Sequence, residues 1–325
     1  MSAIMQIVED ALRSADLPYG VVATIGNYDG LHRGQRTVLD TVVERAEALG
    51  CDAVVVSFEP HPLRILRPEQ APPLLTPPAV RERLLREIGI DVLLLVRFNR
   101  ELGSTPAERF VRDFLHRKLS VRELYVGADF GFGHRREGNV ALLERLGEEL
   151  GFQASGIEPL RAAGEVISAT RIRGLIPLGE VAEARRLLGY PYTLRGVVVR
   201  GDRMGTKLGW PTINLDPEND LLPADGVYAA QAFFPSFPAT FDCVTNVGRR
   251  PTLYETHQLV VESHVLDFNA DVYGEEVEVR FFQRLREEKM FSTPMDLAAQ
   301  IGRDVEATRE YFATRRRLNE MPELT

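Results

Sequence analysis

The chain has 325 residues, 44% of them hydrophobic and 26% charged, with a formal net charge of -8 at pH 7. Enough apolar residues are present for one or two full cores. The acidic balance excludes broad binding of nucleic acid or anionic membrane, yet leaves room for nucleotides, which need only a local cluster of cations.

In chain order, residues 1–19 are expected to form a lead-in helix ending at Leu17-Pro18. Residues 21–25 read as a buried strand, which Gly26-Asn27-Tyr28-Asp29-Gly30 breaks with turn chemistry. From Arg33 a helical period aligns Val38, Leu39, Val42, Val43, Ala46 and Leu49. His32 and Gly34 therefore sit where a strand hands over to a helix N-terminus. Free N–H groups and the helix dipole make such a place an anion site, and a histidine there can donate to a phosphate oxygen. The same residues also fit a plain turn with a solvated imidazole, and spacing alone does not separate the two.

A second buried strand at 53–58 ends in Glu59-Pro60-His61-Pro62, where two prolines fix an extended loop around a histidine. A Pro-rich loop at 68–78, a helix at 79–88 and a third strand at 91–96 follow. Thr105 is expected to cap, and Pro106 to open, a helix that runs to Lys118. The fourth strand, 124–126, leads into Gly127-Ala128-Asp129-Phe130-Gly131-Phe132-Gly133, and residues 139–150 form an amphipathic helix. Alternating strands and helices mean α/β with a parallel sheet, whose ligands bind beyond the carboxyl ends of the strands. The loops there carry His32, His61 and Asp129. Ser168-Ala169-Thr170-Arg171-Ile172-Arg173 offers a candidate cap and two cations suited to a triphosphate, although an isolated R-x-R is usually a solvated pair. After a helix at 179–188, Gly189-Tyr190-Pro191 marks the domain boundary, giving domains 1–188 and 189–325.

The second half reads as strands at 192–200, 226–234, 241–247, 258–266 and 276–282, a small antiparallel barrel, with a charged helix at 294–318. Gly205 to Leu215 combines ligand-approach glycines with Thr212 and Asn214 on one side of an extended segment, oxygen donors that suit Mg²⁺ and phosphate. The Walker A spacing is absent. Strand alternation puts Glu262 and His264 on the face of Val260 and Leu266. A carboxylate in such a strand is either paired or catalytic, and the strand alone favours the pair. Cys51 and Cys243 suit free thiols in a reducing compartment. No signal-peptide core, bilayer-length apolar run or C-x-x-C spacing occurs, so the cytoplasm is the expected location.

Together these segments resemble the bacterial bifunctional riboflavin kinase/FMN adenylyltransferase family. The likeness rests on G-N-Y-D-G-L-H-R-G (26–34), F-E-P-H-P (58–62), V-G-A-D-F-G-F-G (126–133) and I-S-A-T-R-I-R (167–173). In the second half it rests on L-G-W-P-T-I-N-L, N-V-G-R-R-P-T, E-S-H-V-L-D-F and L-R-E-E-K-M-F, in the family's order. The resemblance implies a nucleotidyltransferase-type α/β domain and a C-terminal riboflavin-kinase barrel. The barrel would phosphorylate riboflavin with MgATP to FMN; the first domain would join FMN to AMP from a second ATP, giving FAD. It further implies that Glu262 serves the riboflavin hydroxyl, that Thr212 and Asn214 hold Mg²⁺ and phosphates with Gly205 and Lys207, and that Arg286, Glu288 and Phe291 lie near the flavin. In the first domain Gly26, Asn27, His32, Gly34, Gln35, Ser168, Thr170, Arg171 and Arg173 would serve the nucleotide, with Phe58, His61, Asp129, Phe130 and Phe132 shaping the flavin side.

Three departures stand out. The family's H-x-G-H reads His32-Arg33-Gly34-Gln35, its S-S-T reads Ser168-Ala169-Thr170, and its R-G-R reads Met204-Gly205-Thr206. Losing one oxyanion donor costs about a hundredfold in rate. Both activities are expected to persist, with the adenylyl step the weaker. The alternative is a monofunctional riboflavin kinase with an impaired first domain.

Overall fold

Residues 6–8, expected within a helix, instead form the edge strand β1 (Gln6–Val8) of a computed structural model that describes residues 5–201, 204–251 and 257–318. Pairing with a neighbouring strand satisfies this backbone and buries Met5, Val8 and Ala11, which a solvated helix would leave wet. Then come β2 (Val22–Ile25), α1 (Arg33–Leu49) and β3 (Ala53–Glu59). They are followed by α2 (Pro62–Leu66), α3 (Pro78–Ile88), β4 (Val92–Arg97), α4 (Arg100–Gly103), α5 (Ala107–Phe110), β5 (Glu123–Gly127) and α6 (Val140–Leu150). The sequence reading missed the next strand, β6 (Gln153–Ile157), which is only partly buried and lacks an apolar run. A hairpin of β7 (Arg161–Ala162) and β8 (Glu165–Val166) precedes α7 (Ala169–Leu175).

The first sheet is parallel in the order β1-β4-β3-β2-β5-β6. From β2 the chain builds outward through β3 and β4, then returns to place β5 on the other side of β2. That reversal opens a crevice at the carboxyl ends of β2 and β5. Thr105 does not cap α5: its hydroxyl donates to Glu101 O, and Ala107 N donates instead to Glu137 Oε1 at 3.0 Å. Beyond α5 the helical path widens to π geometry over Val111–His116.

The second unit holds α8 (Val181–Leu188), β9 (Tyr192–Val199), α9 (Met204–Lys207), β10 (Ile213–Pro217), β11 (Gly226–Phe233), β12 (Thr240–Pro251), β13 (His257–Val265), β14 (Glu276–Arg286) and α10 (Pro294–Arg317). Six of these strands close an antiparallel barrel in the order β10-β13-β12-β11-β14-β9. The barrel fills with Tyr192, Tyr228, Phe281, Val247, Val261 and Val265, and a buried Thr245–Ser263 hydroxyl pair 2.8 Å apart. By packing, the chain divides into Met1–Pro73 with Pro78–Ala169, and Leu74–Pro77 with Thr170–Thr325. Residues 170–188 thus group with the second unit, whereas the sequence reading drew its boundary at 188/189. The apolar face of α8, Val181, Ala184, Leu187 and Leu188, is buried, and the helix packs on β14 and β9.

One ion pair ties α1 to the foot of β5. Arg45 Nε donates to Glu123 Oε2 at 2.8 Å and Nη2 to Oε1 at 2.5 Å, while the Tyr125 hydroxyl donates to Oε2 at 2.8 Å. The Arg45 hydrogen bonds hold the buried Glu123 carboxyl below its ordinary value of 4.5. A carboxylate depressed on folding stabilises the fold above its unfolded pKa and loses that contribution as pH falls through the folded value. Glu123→Gln is therefore expected to lower stability at pH 7 by about 2 kcal/mol. Urea unfolding should also show the gap between variant and parent closing below about pH 4.

Candidate functional site

The first unit gathers its sequence-predicted residues on the loops after β2, β3 and β5. Between β2 and α1 the backbone is left-handed at Tyr28 (φ 46°), Gly30 (φ 88°) and Leu31 (φ 41°). Two of these carry side chains, a conformation worth about 1–3 kcal/mol of strain each. Tyr28 is the internal prop. Its ring is buried against Gly26, where an added Cβ would come within 3.0 Å of Cε2, and its hydroxyl bonds Thr24 Oγ1. Burial pushes the phenol pKa far up, so it stays neutral.

The turn delivers His32 to the N-cap of α1. Its Nδ1 accepts from Gln35 N at 3.2 Å, so in the neutral ring the proton sits on Nε2, which is then a donor. His32 is 7% exposed. Gly34 lets the first turn approach both this ring and Ile167 O, each within 3.4 Å of an added Cβ. Gln35 Oε1 is buried and has no hydrogen-bond partner among the described residues.

His61 repeats the device one loop along. Its Nδ1 accepts from Leu63 N at 3.2 Å and caps α2, and its Nε2 lies 3.0 Å from Asn27 Nδ2. With the ring proton on Nε2, the Asn27 carboxamide satisfies it by turning its oxygen to the ring. The loops after β2 and β3 are thereby joined.

Phe130 and Phe132 stack at 5.4 Å and 14°. Phe132 meets Phe110 at 6.3 Å, Phe110 meets Phe58 at 6.3 Å, and Phe58 meets Phe98 edge-on at 6.0 Å. Three of these aromatics were predicted from sequence. Phe98 and Phe110 were not, because in sequence they look like ordinary core residues, one just after a strand and one within a helix. Asp129 is exposed, its Oδ1 over Gly127. Gly133 (φ 74°) and Gly138 both lie against Ala107, so close that an added Cβ would come within 2.6–2.7 Å of its Cβ. This closes the Phe132 loop onto α5.

Ser168 lies next to the last residue of the first unit, Ala169. Thr170, Arg171 and Arg173 stand on α7, counted with the second, where Arg171 Nη2 lies 3.6 Å from Glu183 Oε1. A cavity of about 520 Å³ lies at the β1 and β4 edge, lined by Asp10, Leu12, Arg13, Arg97, Asn99, Glu101, Leu102 and Thr105. It contains none of the predicted residues. Several of its polar groups answer one another: Arg13 faces Asp10, Asn99 caps α4 and Thr105 bonds Glu101.

In the barrel, Glu262 is register partner to Asn214 of β10 on one side and Asn246 of β12 on the other. Directly opposite residues have Cβ atoms about 5 Å apart, so three polar side chains share one patch of the wall. They stand on the outer face, since Val261, Ser263 and Val265 fill the inside. Two glycines make room above them. A Cβ on Gly201 would fall 2.4 Å from Asn214 Nδ2, and one on Gly205 would fall 2.3 Å from Trp210 O and 3.2 Å from Thr212 Oγ1. Trp210 meets His264 edge-on at 5.3 Å, and His264 Nδ1 donates to Pro211 O at 2.7 Å. The Glu288 carboxylate covers Gly248, 2.5 Å from an added Cβ. Arg286 forks onto Asp304 of α10. Lys207, on α9, is exposed. Met204 and Arg250, which belong to the quoted motifs, have side chains outside the described set, and Thr252 lies wholly outside it.

These features define a nucleotidyltransferase-type α/β unit and a flavokinase-type barrel on one chain. The FAD synthetase family model matches residues 15–171 and the riboflavin kinase model residues 188–312. The chain is 37% identical over 293 residues to the bifunctional riboflavin kinase/FMN adenylyltransferase of Escherichia coli K12, covering 90% of this chain and 93% of that one. It is 33% identical to the Haemophilus influenzae protein of the same name, covering 95% and 99%. A crystal structure described as a macrolide-efflux protein from Streptococcus pneumoniae superposes with TM-score 0.83 at 27% identity, covering 94% of this chain and 99% of that one. No helix among the described residues of this chain is long and apolar enough to cross a membrane. The chain belongs to the bifunctional riboflavin kinase/FMN adenylyltransferase family.

Gly201→Ala is expected to push Asn214 out of line. FMN formation from riboflavin should fall about a hundredfold, while FAD formation from supplied FMN holds within twofold in parallel assays.

Proposed function

We propose that the chain makes FAD from riboflavin in two steps, with residues 189–325 as the kinase and residues 1–188 as the adenylyltransferase. The observation that carries this is the tandem of both family models on one chain, and it favours two activities over a lone kinase. Riboflavin, FMN, FAD and ATP are the substrates and products of these reactions.

In the kinase step the riboflavin 5′-hydroxyl attacks the γ-phosphorus of ATP, ADP leaves, and Glu262 orients the hydroxyl and accepts its proton. The transition state is loose, so positioning and charge neutralisation do most of the work. Thr212 and Asn214 face the phosphates, with Gly205 and Lys207 beside them, and Glu288 and Phe291 border the flavin. Among the described residues no group of three or more His, Cys, Asp or Glu is arranged to hold a metal. The hard oxygen donors of Thr212 and Asn214 nevertheless fit Mg²⁺, which prefers a few protein oxygens shared with phosphates and water. When bound, the ion would neutralise charge on the transferred phosphoryl group.

In the adenylyl step an FMN phosphate oxygen attacks the α-phosphorus of ATP and pyrophosphate leaves. The nucleophile is already an anion, so no strong base is required. His32 Nε2–H and the N-terminal amides of α1 suit the α-phosphate, with Gln35 as a neutral donor and Ser168, Thr170, Arg171 and Arg173 serving the polyphosphate. Asn27 and His61 fix the loops around it, and Phe58 and Phe130, with the buried Phe132 stacked on Phe130, shape the flavin side, with Asp129 at the rim. ATP as co-substrate and two free thiols, Cys51 and Cys243, support the cytoplasm as the place of action.

Incubation with riboflavin, ATP and Mg²⁺, followed by chromatography, is expected to yield FMN first and FAD more slowly. Gln35→His should raise the FAD rate about ten- to a hundredfold and leave FMN formation unchanged. FMN without any FAD, from parent and variant alike, would reduce the protein to a riboflavin kinase.

A further inference from the structure

Helix α10 carries a buried carboxylate, Asp304, that takes part in neither reaction step. Asp304 is 5% exposed. It accepts from Arg286 Nε at 3.0 Å and Arg286 Nη2 at 2.7 Å, and from Gln300 Nε2 at 2.9 Å. Arg286 is the last residue of β14, so this fork pins the strand's end to the helix. The same guanidinium spends Nη1 on Glu287 O at 2.9 Å, and the Phe291 ring lies over it at 5.8 Å. The residues between β14 and α10 thus fold around a cation whose donors are largely committed within the protein. One turn before Asp304, the same helix seats the other wall of the kinase site. Ile301 and Val305 pack with Trp210, Val227, Val244 and Leu266, and Gly302 leaves room for the Trp210 ring, 3.6 Å from an added Cβ.

We propose that Asp304 is a positioning residue for the kinase reaction: through Arg286 it holds Glu288 and Phe291 in place against riboflavin. Arg286 then acts through Phe291 and the loop backbone rather than on the flavin itself. A bidentate arginine–carboxylate fork fixes orientation as well as distance, which a single ionic contact does not. The proposal rests on the kinase reading of the barrel.

The test is a steady-state kinase assay on the full chain, varying riboflavin and ATP separately. If the parent forms no FMN, the kinase reading itself falls. With an active parent, Asp304→Asn is expected to raise the riboflavin KM about tenfold, leaving kcat and the ATP KM within about twofold. Arg286→Lys should do the same, and the double variant should be no worse than either single, because both break one unit. An unchanged riboflavin KM in Asp304→Asn overturns the proposal. So do effects that multiply in the double variant, which would mean Arg286 contacts the flavin independently, and so does a loss shared by kcat and both KM values. Thermal unfolding of the full chain, followed by circular dichroism, reports whether each variant's barrel has folded. If Asp304→Asn fails that control, Asp304→Glu, which keeps the charge but shifts the fork by one methylene, decides. A riboflavin KM raised alone supports the proposal, and an unchanged one overturns it.

Discussion

The first unit depends on one backbone turn. Left-handed residues at Tyr28, Gly30 and Leu31 swing the chain from β2 into α1 within a few residues. Such a conformation persists only when its surroundings over-determine it. Here the surroundings are Tyr28 itself, buried with its hydroxyl on Thr24, and Gly26, which leaves space for the ring. The result is a helix N-terminus facing the crevice beside β5, capped by a histidine whose tautomer the cap bond sets. His61 caps α2 in the same manner and meets Asn27, so two helix starts and two loops form one frame.

The barrel solves a different problem. Its interior is filled by aromatic and aliphatic side chains, which leaves Glu262 and its polar neighbours on the outer wall. A strand wall offers a row of neighbours across the register, and Asn214, Glu262 and Asn246 use one such row. Loops and α10 then cover a wall that would otherwise face water. Glycines set how close they come: Gly201 to Asn214, Gly205 to Trp210, Gly248 to Glu288. In each case a polar group or backbone carbonyl occupies the space of the missing Cβ, so these glycines are required by contact, since none of the three has a left-handed φ.

The sequence by itself determined much of this. Local patterns set the alternation of strands and helices, the change to a strand-rich second half and the shared face of Glu262 and His264, because side-chain period and turn chemistry are properties of neighbouring residues; that this face points out of the barrel was decided by its closure. His32 and Phe132 were legible for the same reason, since glycine-rich turns at strand ends announce themselves. What only the tertiary structure decided is pairing between distant segments. β1 became a strand because β4 offers it an edge, and Ala107 lost its expected local cap to Glu137, thirty residues away. Phe98 and Phe110 joined the aromatic chain, and Asp304 reached Arg286, through folding alone. Hydrogen bonds and ring contacts across such separations leave no periodic trace in the chain. They form where burial makes an unpaired polar group costly and a close-packed partner is at hand.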